Sequence, residues 1–218
     1  MESPLVELLV LAGIAVFLIL RLKSVLGTRE GFEKPPLAGS EARSPQRKFE
    51  VIEGSPDDDI IAYVDEGSPQ AQALAEMKRV DPSFHVAEFV QGARGAYEMI
   101  LMGFETGELD GIQPFISDEI FQSFVDAVSA REDQGLTIEA EFIGVRETTI
   151  ADVSFDAATT TAEVTVRFVG ELTSAVRNRA GEIVEGDPKA VKRQKDTWTF
   201  SRKMGADDPN WLLVATDA

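Results

Sequence analysis

At Gly135 the periodicity of this 218-residue chain changes, and that change restricts the fold more than any other feature. Before it, Val86, Val90, Ala93, Tyr97, Leu101 and Phe104 recur at spacings of three and four. Phe89, Ala96 and Ile100 widen the stripe, so the pattern predicts a long helix with one buried face. Ser68-Pro69 opens a shorter helix, "QAQALAEMKRV". Asp81-Pro82 is placed to start the long one, with Asp as cap and Pro in the first turn. Gly103 and Gly107 loosen its end. Ser117 caps a third helix, with Asp118 and Glu119 in its first turn and Ile120, Phe121, Phe124, Val125 and Val128 facing inward.

After Gly135 the period is two. Ile138, Ala140 and Phe142 alternate with Glu139 and Glu141, and Ala151, Val153 and Phe155 with Asp152 and Ser154. Ala162, Val164, Val166 and Phe168 form a third series, Trp198, Phe200 and Arg202 a fourth, and "WLLVAT" closes the chain. Such alternation marks antiparallel strands with one buried face. Turns fall at Asp156-Ala157-Ala158, at residues 178–181 and at residues 205–210. Helices followed by strands give an α+β fold, helices covering one face of a strongly curved sheet. The length suits one domain of average size plus accessory segments.

Several functions are excluded by composition. The chain has no cysteine, so it holds no disulfide, thiolate metal site or cysteine nucleophile. His85 is its one histidine, at what reads as a helix start, where it takes a structural or surface role. No phosphate loop, nucleophile elbow or Gly-x-Gly-x-x-Gly run accompanies it. The sequence therefore offers no catalytic, cofactor-binding or metal-ligating set. The formal charge of −17 is uneven: residues 1–20 carry −2, residues 21–48 carry +4 and the remainder −19. An acidic domain of that charge is repelled by nucleic acid and by anionic head groups, leaving the basic stretch to meet lipid.

Residues 5–22 hold only Glu7 and Arg21 as charges, both near the ends. As a helix they span about 27 Å, slightly short of the roughly 30 Å hydrocarbon core. A cleaved signal peptide needs a basic start and a small-residue cleavage site; here the start is "MESPLVE" and no Ala-x-Ala follows. An interfacial helix needs a polar face, which the run lacks. It reads as a retained signal anchor, with Leu8, Leu9, Leu11, Ile14, Val16, Phe17, Leu18, Ile19 and Leu20 as its apolar body. Arg21 and Lys23 lie after the run and no base precedes it, which places the following domain in the cytoplasm. The expected organisation is a tail at 1–4, a transmembrane helix at 5–22, a flexible linker at 23–67 and a folded domain at 68–218. The linker is Pro-, Gly-, Ser- and charge-rich, interrupted by the apolar islands "FEVIEG" and "DIIAYV", which either pack on the domain or dock a partner.

Asp81-Pro82-x-Phe84 followed by "FVQGARGAYEMILMGFETGELDGIQPFISDEIFQSF" resembles the helical half of the Tim44-like domain family, named after subunit 44 of the mitochondrial import inner membrane translocase. "GEIVEGDPKAVKRQKDTWTFSRK" followed by "NWLLVA" resembles its sheet half, and the match covers about residues 68–215. The N-terminal apolar run and tether also resemble bacterial members. The resemblance implies a nuclear transport factor 2-like cone, with helices closing a curved antiparallel sheet around a hydrophobic pocket. It also implies an adaptor or scaffold whose partner is a chaperone or translocase. The mitochondrial proteins carry chaperone contacts in a long N-terminal region that this chain replaces by anchor and tether, so the import-motor role does not transfer.

Two functional readings follow. One is a membrane-anchored adaptor at the cell inner membrane, linked to protein transport or membrane protein assembly, presenting its pocketed domain to protein partners or to the membrane surface and binding no nucleic acid. The other is a membrane-tethered small-molecule or lipid-binding domain, or an enzyme of the ketosteroid isomerase-like type, which pairs a base with a tyrosine donor. Tyr63 lies in the tether; Tyr97 lies on the helical stripe, read as core with its hydroxyl satisfied at a rim. Asp152 and Glu163 fall opposite the apolar strand face, out of its reach. Trp198 and Trp211 read as packing residues, Arg202 as a structural ion-pair partner and Gly186-Asp187-Pro188 as a turn.

Overall fold

The computed structural model describes residues 57–217. Helix α1, Asp58–Ile61, is capped by Asp57, whose carboxylate accepts from the Asp59 amide. Helix α2, Pro69–Val80, carries Pro at its start under a Ser68 cap, and Helix α4, Asp118–Asp133, is capped by Ser117, both as the sequence predicts. Between them lie α3, Val86–Thr106, and a 3-10 turn at Gln113–Phe115. The buried face of α3 comprises Val86, Phe89, Val90, Ala93, Tyr97, Ile100 and Leu101. Val128 of α4 is buried, while Ile120, Phe121, Phe124 and Val125 are half-buried against the same core. The apolar run at 5–22 and its flanking Arg21 and Lys23 lie outside the described residues. Among those described, no helix is long and apolar enough to cross a membrane.

The start of α3 differs from expectation. Asp81 does not cap it; the helix begins at Val86, five residues on, and His85 at its N-cap makes no side-chain cap bond. The cap comes from Asp59, whose two carboxylate oxygens accept from the Val86 and Ala87 amides at 2.8 and 2.9 Å. Asp81 is drawn elsewhere, by Ser83 and Arg202. Composition assigns Asp59 to the tether, yet Ile60 is buried and Tyr63 and Val64 pack on the core. Of the two apolar islands, "DIIAYV" therefore belongs to the folded unit; "FEVIEG" lies outside the described residues.

Four strands pair antiparallel in the order β1-β2-β3-β4: Thr137–Asp156, Thr161–Arg177, Ile183–Lys203 and Leu212–Asp217. The alternations around 138–142 and 151–155 belong to a single strand. Three one-residue register shifts against β2, between Phe142/Gly144, Val145/Glu147 and Ile150/Asp152, separate them. Each insertion flips the side-chain phase, and an odd number converts an even-inward pattern into an odd-inward one. The Gly186-Asp187-Pro188 "turn" also lies within a strand. Leu172 pairs with Lys192 and Ser174 with Asp187, so residues 188–191 bulge out of the ladder. Gly186 permits this at φ +77, where an added Cβ would lie 2.2 Å from the Ser174 carbonyl oxygen. The hairpin falls at Asn178–Gly181, as the sequence predicts, closed by the Gly181 amide on the Asn178 carbonyl at 2.8 Å.

Candidate functional site

Between one side of α3 and the loop entering β4 runs a groove of about 640 Å³. Its wall is aromatic because four elements converge there. Phe84 precedes α3, Phe89 lies in its first turns, and Trp211 leads into β4 with ring centroids 5.9 and 4.7 Å from those two. Phe200 of β3 meets Phe89 edge-on at 6.1 Å and Phe115 of the 3-10 turn closes the side. Along the helix, Gly92 and Gly95 leave the backbone bare, with Met99 at the far end. A predominantly apolar cleft of this size, with a few polar groups at one end, is the usual form of a binding site. Trp211 is thus a groove wall as well as a packing residue, whereas Trp198 is buried in the core.

The polar end is organised by an ion pair. Arg202 Nη2 lies 2.7 Å from Asp81 Oδ2, and the two side chains are only 10% and 8% exposed. Asp81 also accepts from the Ser83 hydroxyl at 2.5 Å and amide at 3.1 Å. The Ser83 hydroxyl bond is the largest cause holding its carboxyl below the ordinary aspartate value, and Arg202 adds to it. Arg202 is therefore structural, as the sequence reading has it, and its partner is the residue expected to cap α3. Its Nε is buried with no acceptor among the described residues. His85 lies on the rim, half exposed, with Nδ1 2.9 Å from the Ser83 carbonyl oxygen.

Helix α3 is clipped to this end of the domain by Asp59, which also meets Lys78 at 3.0 Å; Asp57 meets the same ammonium at 2.7 Å. Burial acts to raise the Asp59 pKa, but hydrogen bonds from the Ala87 amide, Lys78 and the Val86 amide outweigh it, and the net direction is down. A carboxyl depressed on folding stabilises above its unfolded value and loses that contribution as pH falls through its folded one. Asp59→Ala is expected to cost about 1–2 kcal/mol, the loss typical of an N-cap. The Val86 and Ala87 amides should lose exchange protection in that variant at neutral pH, and in the wild-type chain only as pH falls below the ordinary aspartate range. Unchanged exchange in the variant would mean the cap is not formed in solution.

Tyr97 is not at a rim. It is fully buried, and its hydroxyl donates to Asp196 Oδ2 at 2.5 Å; Gln194 Nε2 donates to the other oxygen at 3.0 Å. Burial first, then the hydrogen bond and charge of Asp196, push the phenol well above its usual pKa. The ring stacks on Phe168 at 4.5 Å and rests over Gly170, where a Cβ would lie 2.6 Å from the hydroxyl. Asp152 and Glu163 are exposed, as the alternation predicts. Asp196 was legible too: it stands two residues before Trp198, in phase with the buried face. Neither Tyr97 nor Asp196 lines the groove. Among the described residues no cluster of acids and histidine could hold a metal ion.

An antiparallel sheet backed by helices, with a lateral aromatic groove beside its longest helix, defines an α+β domain. The chain belongs to the Tim44-like domain family, whose sequence profile matches residues 70–218. It is 24% identical over 163 residues to the mitochondrial import inner membrane translocase subunit TIM44 of Homo sapiens, and 23% to that of Rattus norvegicus. Each comparison covers 73% of this chain and 36% of the relative, so the chain spans about a third of the curated relatives it matches. The intermembrane space region of chloroplast protein ARC6 superposes with a TM-score of 0.40 at 11% identity, over 59% of this chain and 94% of that one.

Proposed function

We propose that this chain is a membrane-anchored adaptor, not an enzyme, whose Tim44-like domain offers the α3 groove to a protein partner at the cytoplasmic face of the inner membrane. The observation that carries it is the groove, apolar, open along one side and bare at Gly92 and Gly95, which suits the backbone of another polypeptide. The relatives' name, subunits of an import translocase, supports a partner in protein translocation or membrane protein assembly. Residues 5–22 supply the anchor, Arg21 and Lys23 its orientation, and the linker from residue 23 the reach. The helices and curved sheet are read as the nuclear transport factor 2-like cone.

A photo-crosslinking amino acid at Met99, which is partly exposed on the groove, tests this in intact membranes. The expected result is a discrete protein adduct, lost when residues 8–20 are deleted. Adducts to lipid alone would favour the small-molecule or lipid-binding reading. For topology, an N-terminal tag should be shielded from cytoplasmic protease, and a mature protein beginning after Leu26 would overturn the anchor.

A further inference from the structure

Strand β3 outruns its neighbour. β4 pairs with it only from Ser201 back to Thr197, while β2 accompanies it as far as Ile183. Among the described residues, 183–196 therefore form a sheet edge. An edge offers unpaired backbone donors and acceptors, and proteins normally blunt it with charge, proline and bulges.

This edge is only half blunted. Pro188 and the bulge at 188–191 interrupt it, and "KAVKRQK", residues 189–195, places four bases there without an acid, in a chain with 38 acids to 21 bases. Arg193 shares Glu171 with Arg146, at 3.2 and 2.9 Å. Lys189, Lys192 and Lys195 pair with no acid among the described residues, although Lys78, Arg177 and Arg202 all do. Guarding an edge explains lysines; it does not explain Val184 and Val191, which are 55% and 57% exposed, or Ile183 at 44%. A purely protective edge would carry polar side chains at those positions.

We propose that this edge is a second docking surface, beyond the groove, which takes an extended acidic segment of a partner protein as an added strand. Main-chain hydrogen bonds along 192–196 would supply affinity, with five residues spanning roughly 17 Å of partner; Val191 in the adjoining bulge would add an apolar contact, and the three lysines the selection for acid. Charge decides between a strand and a membrane. A flat anionic bilayer would also face the acidic surround of this domain, whereas one strand meets only the strip, and screening over about 8 Å at physiological salt keeps the two apart.

The test uses the full-length chain in uncharged detergent and a fluorescein-labelled heptapeptide alternating glutamate and valine, with a lysine-for-glutamate peptide as control. At physiological salt the acidic peptide should bind, and amide exchange at residues 192–196 should slow. Lys189→Glu, Lys192→Glu and Lys195→Glu combined should weaken binding at least tenfold, the Gln triple less. These lysines pair with no acid among the described residues, so an unchanged melting curve controls for folding. No binding, equal binding by the Glu triple, or binding without slowed exchange would each overturn the proposal. So would equally tight binding of the soluble phosphatidylserine headgroup, glycerophosphoserine, at the same lysines, which would make the strip a membrane contact. Loss of the Met99 adduct leaves this result untouched, so the two docking surfaces fail independently.

Discussion

Arg202→Met is expected to destabilise the domain by about 3–5 kcal/mol, the cost of breaking a buried ion pair from one side. The magnitude rests on what remains. Asp81 is 8% exposed, and its carboxylate would keep the two Ser83 bonds but lose the cation that compensates its charge. The pair also joins β3 to the connection between α2 and α3, so the groove's polar end should loosen with it. Urea unfolding measures the effect. The double variant Arg202→Met, Asp81→Leu should recover much of the loss, because replacing both members of a buried pair by apolar groups is often near neutral. A loss under about 1 kcal/mol in the single variant would show the pair to be water-exposed in solution.

Tyr97→Ala should be comparably severe, about 3–5 kcal/mol for the lost ring and about 1–3 more for Asp196, left with Gln194 as its donor. Tyr97→Phe separates the contributions: it keeps the contacts with Phe168 and Trp198, at 4.5 and 4.8 Å, and loses only the hydroxyl bond. It should cost about 1–3 kcal/mol. Gly170→Ala places a methyl against the same hydroxyl and should cost about as much by overpacking. Combined with Tyr97→Phe it should cost less than the sum, because the closest clash has gone. Strict additivity would mean that the hydroxyl is not where Asp196 holds it.

These residues show how far the sequence could be read. The helical stripe, the Ser68 and Ser117 caps, the Asn178 hairpin and the outward Asp152 and Glu163 were all legible, since each depends on neighbours within a turn of helix or a strand repeat. Asp196 is legible in phase, but a carboxylate is not the residue type that marks a buried position. The three bulges of β1 were present as a shift in alternation, but a phase flip within one strand and a break between two leave the same trace. Asp81 misled because a cap motif is a local preference, and Ser83 and Arg202 offered a stronger set of partners.

What the sequence determined by itself is the order of elements, the α+β class, the absence of cysteine chemistry and the resemblance to the Tim44-like family, all carried by local period and residue type. The tertiary structure alone decided which distant groups meet: Asp59 with the start of α3, 27 residues away, Tyr97 with Asp196, 99 away, and Arg202 with Asp81, 121 away. It also decided that the groove and the β3 edge exist. Periodicity states which face of an element is buried; only the closing of the chain states what covers it, and what is left uncovered.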